Sequence, residues 1–284
     1  MTVRVAAIQM CSGQDVSANL AEAGRLLAAA AGEGAALAVL PENFAFLGAG
    51  ERDRLAVAEA PGDGPAQNFL ARQSASLGLW IVGGTIAVRE PGERLPRAAS
   101  VVWDPEGRAV ARYDKIHLFD VALPGRDEGY RESAGTAPGT QLVVAGTPVG
   151  RLGLAVCYDL RFPEMFRAMA AGGLDALSLP AAFTVPTGEA HWEVLVRARA
   201  VENLCAVVAA AQWGHHEGGR RTWGDSMIVN YWGEVLARRP EGAGVVVADL
   251  DLEAQAAARQ RFPALSHRRP PGAFQMSTEE SDDR

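Results

Sequence analysis

Gly153-Leu-Ala-Val-Cys-Tyr-Asp-Leu-Arg-Phe-Pro-Glu164 passes from apolar to charged within a few residues, and the break falls at a cysteine. Residues 152–156 have the length and β-branched content of a buried strand, while Pro163 suits the first turn of a helix. Cys157 is therefore expected on a strand-to-helix elbow, its sulfur exposed and the backbone N–H groups after it turned toward whatever the sulfur attacks. A free cysteine is most often a small core residue, and that is the expectation for Cys11 and Cys205. At Cys157 the crowding by Asp159, Arg161 and Glu164 argues against it. The expected role is nucleophile.

A thiol nucleophile needs a base and a group to hold an oxyanion. Two other stretches repeat the pattern of an apolar strand ending in a charge. In Ala35-Ala-Leu-Ala-Val-Leu-Pro-Glu-Asn-Phe44, Glu42 stands just past the strand. In Ala111-Arg-Tyr-Asp-Lys-Ile-His-Leu-Phe119, Lys115 emerges between aromatic and apolar neighbours. Alone, each is weak: a carboxylate after a strand is usually a solvated loop or a helix cap, and a lone lysine is usually on the surface.

Together, and in this order, the three motifs resemble the nitrilase superfamily of carbon–nitrogen hydrolases, from about Val3 to about Arg269. The resemblance places its Glu-Lys-Cys triad on Glu42, Lys115 and Cys157. It implies an α/β fold, a four-layer α-β-β-α sandwich, associating as a homodimer or higher homo-oligomer through its outer helices. The segments 187–200 and 207–212, the pair His215-His216 and the run ending at Cys205 are similar to the Nit branch, which hydrolyses amides rather than nitriles. The implied substrate is a small carboxylate-bearing amide, deaminated glutathione first and α-ketoglutaramate as the alternative. A reading from another class is an inactive scaffold that keeps the fold. Retention of all three charged and nucleophilic residues argues against it, since a scaffold has no use for a strained thiol between two charges.

The resemblance also puts a second glutamate at Glu132, in Arg131-Glu-Ser-Ala-Gly-Thr-Ala-Pro-Gly139, where it would orient Lys115 or the attacking water; otherwise it is a solvated loop residue. Two positions depart from the family pattern: Glu189, where relatives usually have proline, and Asp225, where they usually have histidine. Either one, if it lined the entrance, would disfavour a dianionic substrate.

The chemistry follows from the residue types. An unperturbed thiol, with a pKa of about 8.5, is only a few per cent ionised at neutral pH. Glu42 would take its proton as general base, serve as acid to the departing ammonia, and act again as base to water. Lys115 offsets the repulsion between carboxylate and thiolate and, with the backbone N–H of Tyr158, would hold the oxyanion. A thioester is the expected intermediate, with no metal or organic cofactor. Arg161 would grip a substrate carboxylate with its planar fork, or else pair with Glu164 or Asp159. Phe183 is either a pocket wall or core. His117 is expected to fix the lysine loop by hydrogen bonding, and His191 to reach the pocket rim. His215 and His216, adjacent on a strand, would point apart, so a metal shared by both is not expected.

Composition narrows the partners. The chain has 284 residues, 48% of them hydrophobic, enough for a sizeable core. A net charge of -7, with no basic run longer than two residues, argues against nucleic acid or an anionic membrane surface as partner. Three widely spaced cysteines make no disulfide framework and fit a reducing compartment. The N-terminal residues lack a signal-peptide core, and no stretch approaches roughly 18 uncharged apolar residues, so a cytoplasmic protein is expected.

Periodicity and turn residues predict strands at 3–10, 35–40, 79–86, 99–103, 109–113, 176–179, 205–211 and 245–249, and two more paired through a turn at 231–233. Helices are predicted at 16–31, 65–77, from the elbow to 171, 188–203 and 252–261. The absence of a linker before residue 265 predicts one domain, 1–269, with an acidic and mobile tail at 270–284. The long loop 120–139 reads as functional or disordered.

Overall fold

The first strand, β1 (Thr2–Gln9), is buried on both faces, and its side chains sort strictly by parity. Val3, Val5 and Ala7 join one apolar cluster, while Ala6 and Ile8 join another. That alternation is the strand period of two. It places a layer of structure on either side of β1.

The computed structural model describes residues 1–122 and 129–269. After β1 come α1 (Val16–Gly32), β2 (Leu37–Val39), α2 (Pro65–Leu77), β3 (Trp80–Val82), β4 (Ile86–Val88), β5 (Arg97–Trp103), β6 (Ala109–Asp114), β7 (Asp120–Ala122) and β8 (Gly129–Arg131). The second half runs β9 (Val144–Thr147), β10 (Gly150–Leu154), α3 (Pro163–Ala171), β11 (Ala176–Ala181), α4 (Val185–Asn203), β12 (Ala206–Ala211), β13 (Trp213–His215), β14 (Arg221–Trp223), β15 (Ser226–Val229), β16 (Val235–Arg239), β17 (Gly244–Asp251) and α5 (Leu252–Arg261).

Two sheets face one another. One is ordered β17-β1-β2-β3-β5-β4, with β6 also paired to β5; the other is ordered β16-β15-β12-β11-β10-β9. Each has three parallel strands at its centre, β1-β2-β3 and β10-β11-β12, flanked by antiparallel strands. Val5, Val39 and Val82 pack between the sheets against Leu152, Leu154 and Val208. On the outer face of the first sheet, Ala23, Leu26, Leu27 and Ala30 of α1 recur at helical spacing and meet Ile8 and Leu40, with Phe69 and Leu70 from α2. On the outer face of the second, Phe166 and Met169 of α3 and Trp192, Val196 and Ala200 of α4 do the same. The architecture is the expected four-layer α-β-β-α sandwich.

The helices start where the chain supplies caps. The Asp15 carboxylate accepts from Ala18 N at 3.1 Å at the head of α1. The buried Glu59 carboxylate accepts from Ala66 N and Gln67 N at the head of α2.

Several predicted elements need correction. The strand expected over 79–86 is broken into β3 and β4. Gly84 adopts φ 51°, and a Cβ there would lie 2.1 Å from the Pro41 carbonyl oxygen, so the chain can bend only at glycine. The helix expected at 188–203 begins at Val185, with Pro186 in its first turn. Pairs β7–β8 and β13–β14, short and off the main sheets, were not legible in the pattern. The tail 270–284, and the middle of the loop expected at 120–139, lie outside the described residues.

Candidate active site

In an open sheet, the space beyond the carboxyl ends of parallel strands is where ligands can meet several loops at once. Glu42 follows β2, Cys157 follows β10, Ala182 follows β11 and Gln212 follows β12, all at such ends. Lys115 is the residue after antiparallel β6. The sandwich thus brings together what the sequence spaces more than a hundred residues apart.

Cys157 sits on the predicted turn, but not quite in the predicted way. Val156 is extended, Cys157 itself is left-handed at φ 50°, and residues 157–161 form a 3₁₀ turn; the α-helix starts only at Pro163. A non-glycine residue at positive φ is strained and must be held by its surroundings. The holder is Asp159, fully buried. Its carboxylate accepts from Val156 N at 2.9 Å, from the Tyr113 hydroxyl at 2.7 Å and from His117 N at 3.1 Å, and lies 2.7 Å from His117 Nδ1. His117 stacks on Phe162 at 3.7 Å between ring centroids. The elbow and the lysine loop are therefore fixed to one another, as expected of His117. The thiol expected to be exposed is instead buried at the floor of a cavity, with the residue only 8% accessible.

Lys115 is buried with its ammonium between two carboxylates, 2.8 Å from Glu42 Oε1 and 2.8 Å from Glu132 Oε2. Glu132 also accepts from Phe119 N at 2.8 Å and lies 3.5 Å from Arg54, which in turn is bound by Glu51 at 2.9 Å. Of the groups weighed for Glu132 to act on, Lys115 is the one it touches directly. Glu42 is held by its backbone: Gln212 Nε2 donates to its carbonyl at 3.0 Å, and Asn43, itself at φ 57°, donates its N–H to Thr85 Oγ1 at 2.8 Å.

Electrostatics follow from burial. Burial pushes the Cys157 thiol well above its ordinary pKa, and the charge of Glu42 pushes it further; Lys115 and a hydrogen bond from the Ala182 backbone pull the other way. Burial alone would lower Lys115, but the charges of Glu132 and Glu42 more than reverse this and hold it protonated. Glu132 is opposed by burial, yet Lys115 and Arg54 bring it below the usual carboxylate value. The resting site is a neutral thiol beside a fixed ammonium.

Among the described residues the cavity over the thiol is lined by Glu42, Glu51 and Glu132 and by Arg54, Lys115, Arg161 and Arg220, three anions against four cations, a net of +1. Tyr158, Phe183 and Thr184 complete its wall. Arg161 is among the residues the structure brings in: its guanidinium lies 5.3 Å from the Phe183 ring centroid and 5.9 Å from that of Tyr158, with Nη1 3.2 Å from His191 Nδ1. Among the described residues no ion pair joins it to Glu164 or Asp159. Phe183 is both core and wall, edge-on to Trp192 at 5.0 Å. His191 does not line the cavity; it stands on α4 behind Arg161.

The other residues singled out in the sequence lie away from the cavity. Asp225 does not face the cavity. Arg238 holds it through two hydrogen bonds, 2.9 and 2.6 Å, and Glu189 lies with it along the outer face of α4. Neither adds negative charge where a substrate would enter. His216 is buried, 2.8 Å from Ser12 O and 2.6 Å from Thr222 Oγ1, and burial lowers its pKa; His215 is exposed. Cys205 is the core thiol expected, pushed up to about 12 by burial, but Cys11 is exposed. Among the described residues no group of three or more histidine, cysteine or carboxylate side chains is arranged to hold a metal ion, and no helix is long and apolar enough to cross a membrane. Arg54, Glu51, Arg220 and Asp159 were missed as site components. Nothing in their local sequence distinguishes them from solvated charges.

Residues 4–260 match the family model described as carbon–nitrogen hydrolase. The deaminated glutathione amidase of Yersinia enterocolitica is 42% identical over 266 residues, covering 93% of this chain and 92% of that one. The crystal structure of the C. elegans NitFhit protein superposes with a TM-score of 0.88 at 36% identity; the match covers 94% of this chain and 65% of that longer one. A mutant of the amidase from Nesterenkonia sp. AN1, carrying the acetamide moiety of fluoroacetamide covalently on its active-site cysteine, superposes with a TM-score of 0.77 at 28% identity, covering 92% of this chain and 96% of that one.

Proposed function

The chain belongs to the carbon–nitrogen hydrolase family, and we propose that it is a thiol amidase for a small carboxylate-bearing amide, deaminated glutathione before others. The observation that carries the reading is the Lys115 ammonium, clamped at 2.8 Å from both Glu42 and Glu132 in the cavity that holds the Cys157 thiol. The names of relatives at 40–42% identity support the substrate, as does the cationic excess of the lining.

In the proposed cycle Glu42 takes the thiol proton as the sulfur attacks the amide carbon. Deprotonating a buried thiol is favourable only if the charge moves on, and it does, to the carbonyl oxygen. There Lys115 and the Tyr158 backbone N–H receive it. The protonated Glu42 then gives its proton to the leaving nitrogen, the C–N bond breaks, and a thioester remains. The nitrogen departs as ammonia from a primary amide, or as a peptide amine from deaminated glutathione. Glu42 next takes a proton from water, which attacks the thioester; as the C–S bond breaks, Glu42 returns that proton to the sulfur, and the carboxylic acid leaves the restored thiol. Glu132 keeps Lys115 pointed and charged while Glu42 changes protonation state. Arg161 holds the oxo-acid carboxylate of the acyl half, with Phe183 beside it and His191 steadying the guanidinium.

The same reading has one domain over residues 1–269, working in a reducing compartment such as the cytoplasm. It also includes association of copies through the outer helices, supported by the exposed Val194, Val201, Trp232 and Phe262. Turnover is tested by incubating purified protein with deaminated glutathione or α-ketoglutaramate and following the oxo-acid released. The expected preference for the first is on the order of tenfold or more in kcat/KM. Preference for α-ketoglutaramate would assign an omega-amidase, and no hydrolysis of either would overturn the reading.

A further inference from the structure

Three arginines line the cavity over Cys157, and they are not equivalent. Arg54 is already countered: Glu51 binds it at 2.9 Å, Glu132 lies 3.5 Å away, and Thr136 Oγ1 accepts from it at 2.8 Å. Arg161 stacks on the wall formed by residues 158 and 183. Arg220 differs from both. Its guanidinium lies 5.0 Å from the Tyr130 ring centroid, and its Nε is buried with no hydrogen-bond partner. No ion pair reaches it among the described residues. The residue as a whole is half-buried, but a buried N–H left without a partner is rare in native proteins and calls for an explanation.

Its position supplies one. Arg220 borders two cavities, the inner one over the thiol, with about 410 Å³ of empty space including its mouth, and an adjoining outer cleft with about 1110 Å³ of empty space including open solvent. Asn43, Glu51 and Arg54 also belong to both, so the two spaces adjoin along these side chains. Gly48, Gly50, Gly129, Gly218 and Gly219 form part of the wall of the outer cleft and leave room there beside Phe46, Leu47 and Tyr130. The turn that carries Arg220 is firmly placed. His216 N donates to the Arg220 carbonyl at 2.8 Å, the His216 ring is held by Ser12 and Thr222, and a Cβ at Gly218 would lie 2.4 Å from that of Ala49. Among the described residues, Glu51, which lines both cavities, is bound to Arg54, and Glu217, on the same turn as Arg220, accepts from the Gln14 N–H at 3.1 Å.

We infer that Arg220 and the outer cleft it borders form a subsite for a second carboxylate, the one carried by the leaving-group half of the substrate. This rests on the amidase reading above and extends it. Deaminated glutathione bears a carboxylate at each end, the oxo acid on the acyl side and the glycine terminus on the amine side. With Arg161 on the acyl carboxylate, the amine half extends past the thiol into the outer cleft, where the Arg220 fork meets the glycine carboxylate. A substrate that ends at the amide nitrogen leaves this subsite empty.

The test compares deaminated glutathione with its C-terminal carboxamide, identical but for that charge. Wild type should favour the free acid by about 10- to 100-fold in kcat/KM, chiefly through KM. In Arg220→Gln that ratio should fall close to one, and Arg220→Lys should retain part of it. A wild-type ratio near one overturns the inference whether or not a variant folds, and so does a wild-type ratio kept intact in Arg220→Gln. If wild type hydrolyses neither compound, the amidase reading has failed, and the subsite is decided by calorimetric binding of both compounds to Cys157→Ala and to Cys157→Ala/Arg220→Gln. An affinity gap present in the first and lost in the second supports the subsite. The same gap in both, or none in either, overturns it.

Discussion

At the residue scale the site depends on charges that cannot reach water. Cys157→Ala should abolish amide hydrolysis while circular dichroism and Tm remain close to wild type; turnover above background in the folded variant would remove Cys157 as nucleophile. Glu42→Gln and Lys115→Ala should each lose most of kcat, and the double variant should lose far less than the product of the two, because groups that act as a unit are not additive. Multiplying losses in single-turnover assays would show that they act independently. Glu132 makes a prediction about pH. Lys115 and Arg54 hold it below the ordinary 4.5 despite burial, so in acid the unfolded chain binds its proton more readily than the folded one. Its contribution to stability is therefore present above about pH 4.5 and lost as pH falls toward the folded value. Thermal melts between about pH 3 and 6 should fall more steeply for wild type than for Glu132→Gln; parallel curves would contradict the assignment. Glu42, Lys115 and Cys157 could be read because three motifs fall together in one order, and Glu132 only through the family resemblance. Asp159 and Arg220 were not, because their meaning comes from partners that only the fold brings near.

At the scale of elements, apolar periodicity found the long strands and the five α-helices among the described residues, since burial on one or two faces leaves a repeating trace. It failed where backbone geometry overrode pattern. Residues 79–86 read as one strand because Gly83-Gly84 interrupts β-branched neighbours without changing their polarity. The bend at Gly84 lies against Pro41, the residue before the proposed base. Gly84→Ala should therefore do two things: cost about 1–3 kcal/mol through strain at positive φ and the clash with the Pro41 carbonyl, and lower kcat by displacing Glu42. Denaturant melts paired with kinetics would show both; a stable variant with intact kcat would mean that the loop is not fixed by this contact. The short pairs β7–β8 and β13–β14 left no periodic trace, because three-residue strands off the main sheets bury too little to impose one.

At the scale of the molecule, the two sheets are joined at the ends from which the site is built. Met10 and Gln212 form a parallel bridge between β1 and β12, and the Gln212 amide accepts from Ser12 N at 3.0 Å while donating to Ser12 Oγ at 2.8 Å and to the Glu42 carbonyl at 3.0 Å. Gln212→Leu removes the partner of Ser12 N and of the Glu42 carbonyl, while Ser12 Oγ keeps its bond to Phe44 O, and should cost about 1–3 kcal/mol. It should also reduce kcat with little change in KM, since it unseats Glu42 rather than substrate. A loss confined to KM would place Gln212 at the substrate instead. The sandwich was legible as a family resemblance; this junction was not, because one glutamine among alanines reads as a strand end. Asp159 performs the corresponding service between the Cys157 elbow and the Lys115 loop, and it sets a limit on engineering. A designer who transplanted Glu42, Lys115, Cys157 and Glu132 into another sandwich would carry over every group in the proposed chemistry and still obtain a slack, unreactive thiol. Such a graft has to include a carboxylate that never meets the substrate, together with the tyrosine and histidine that keep it in place.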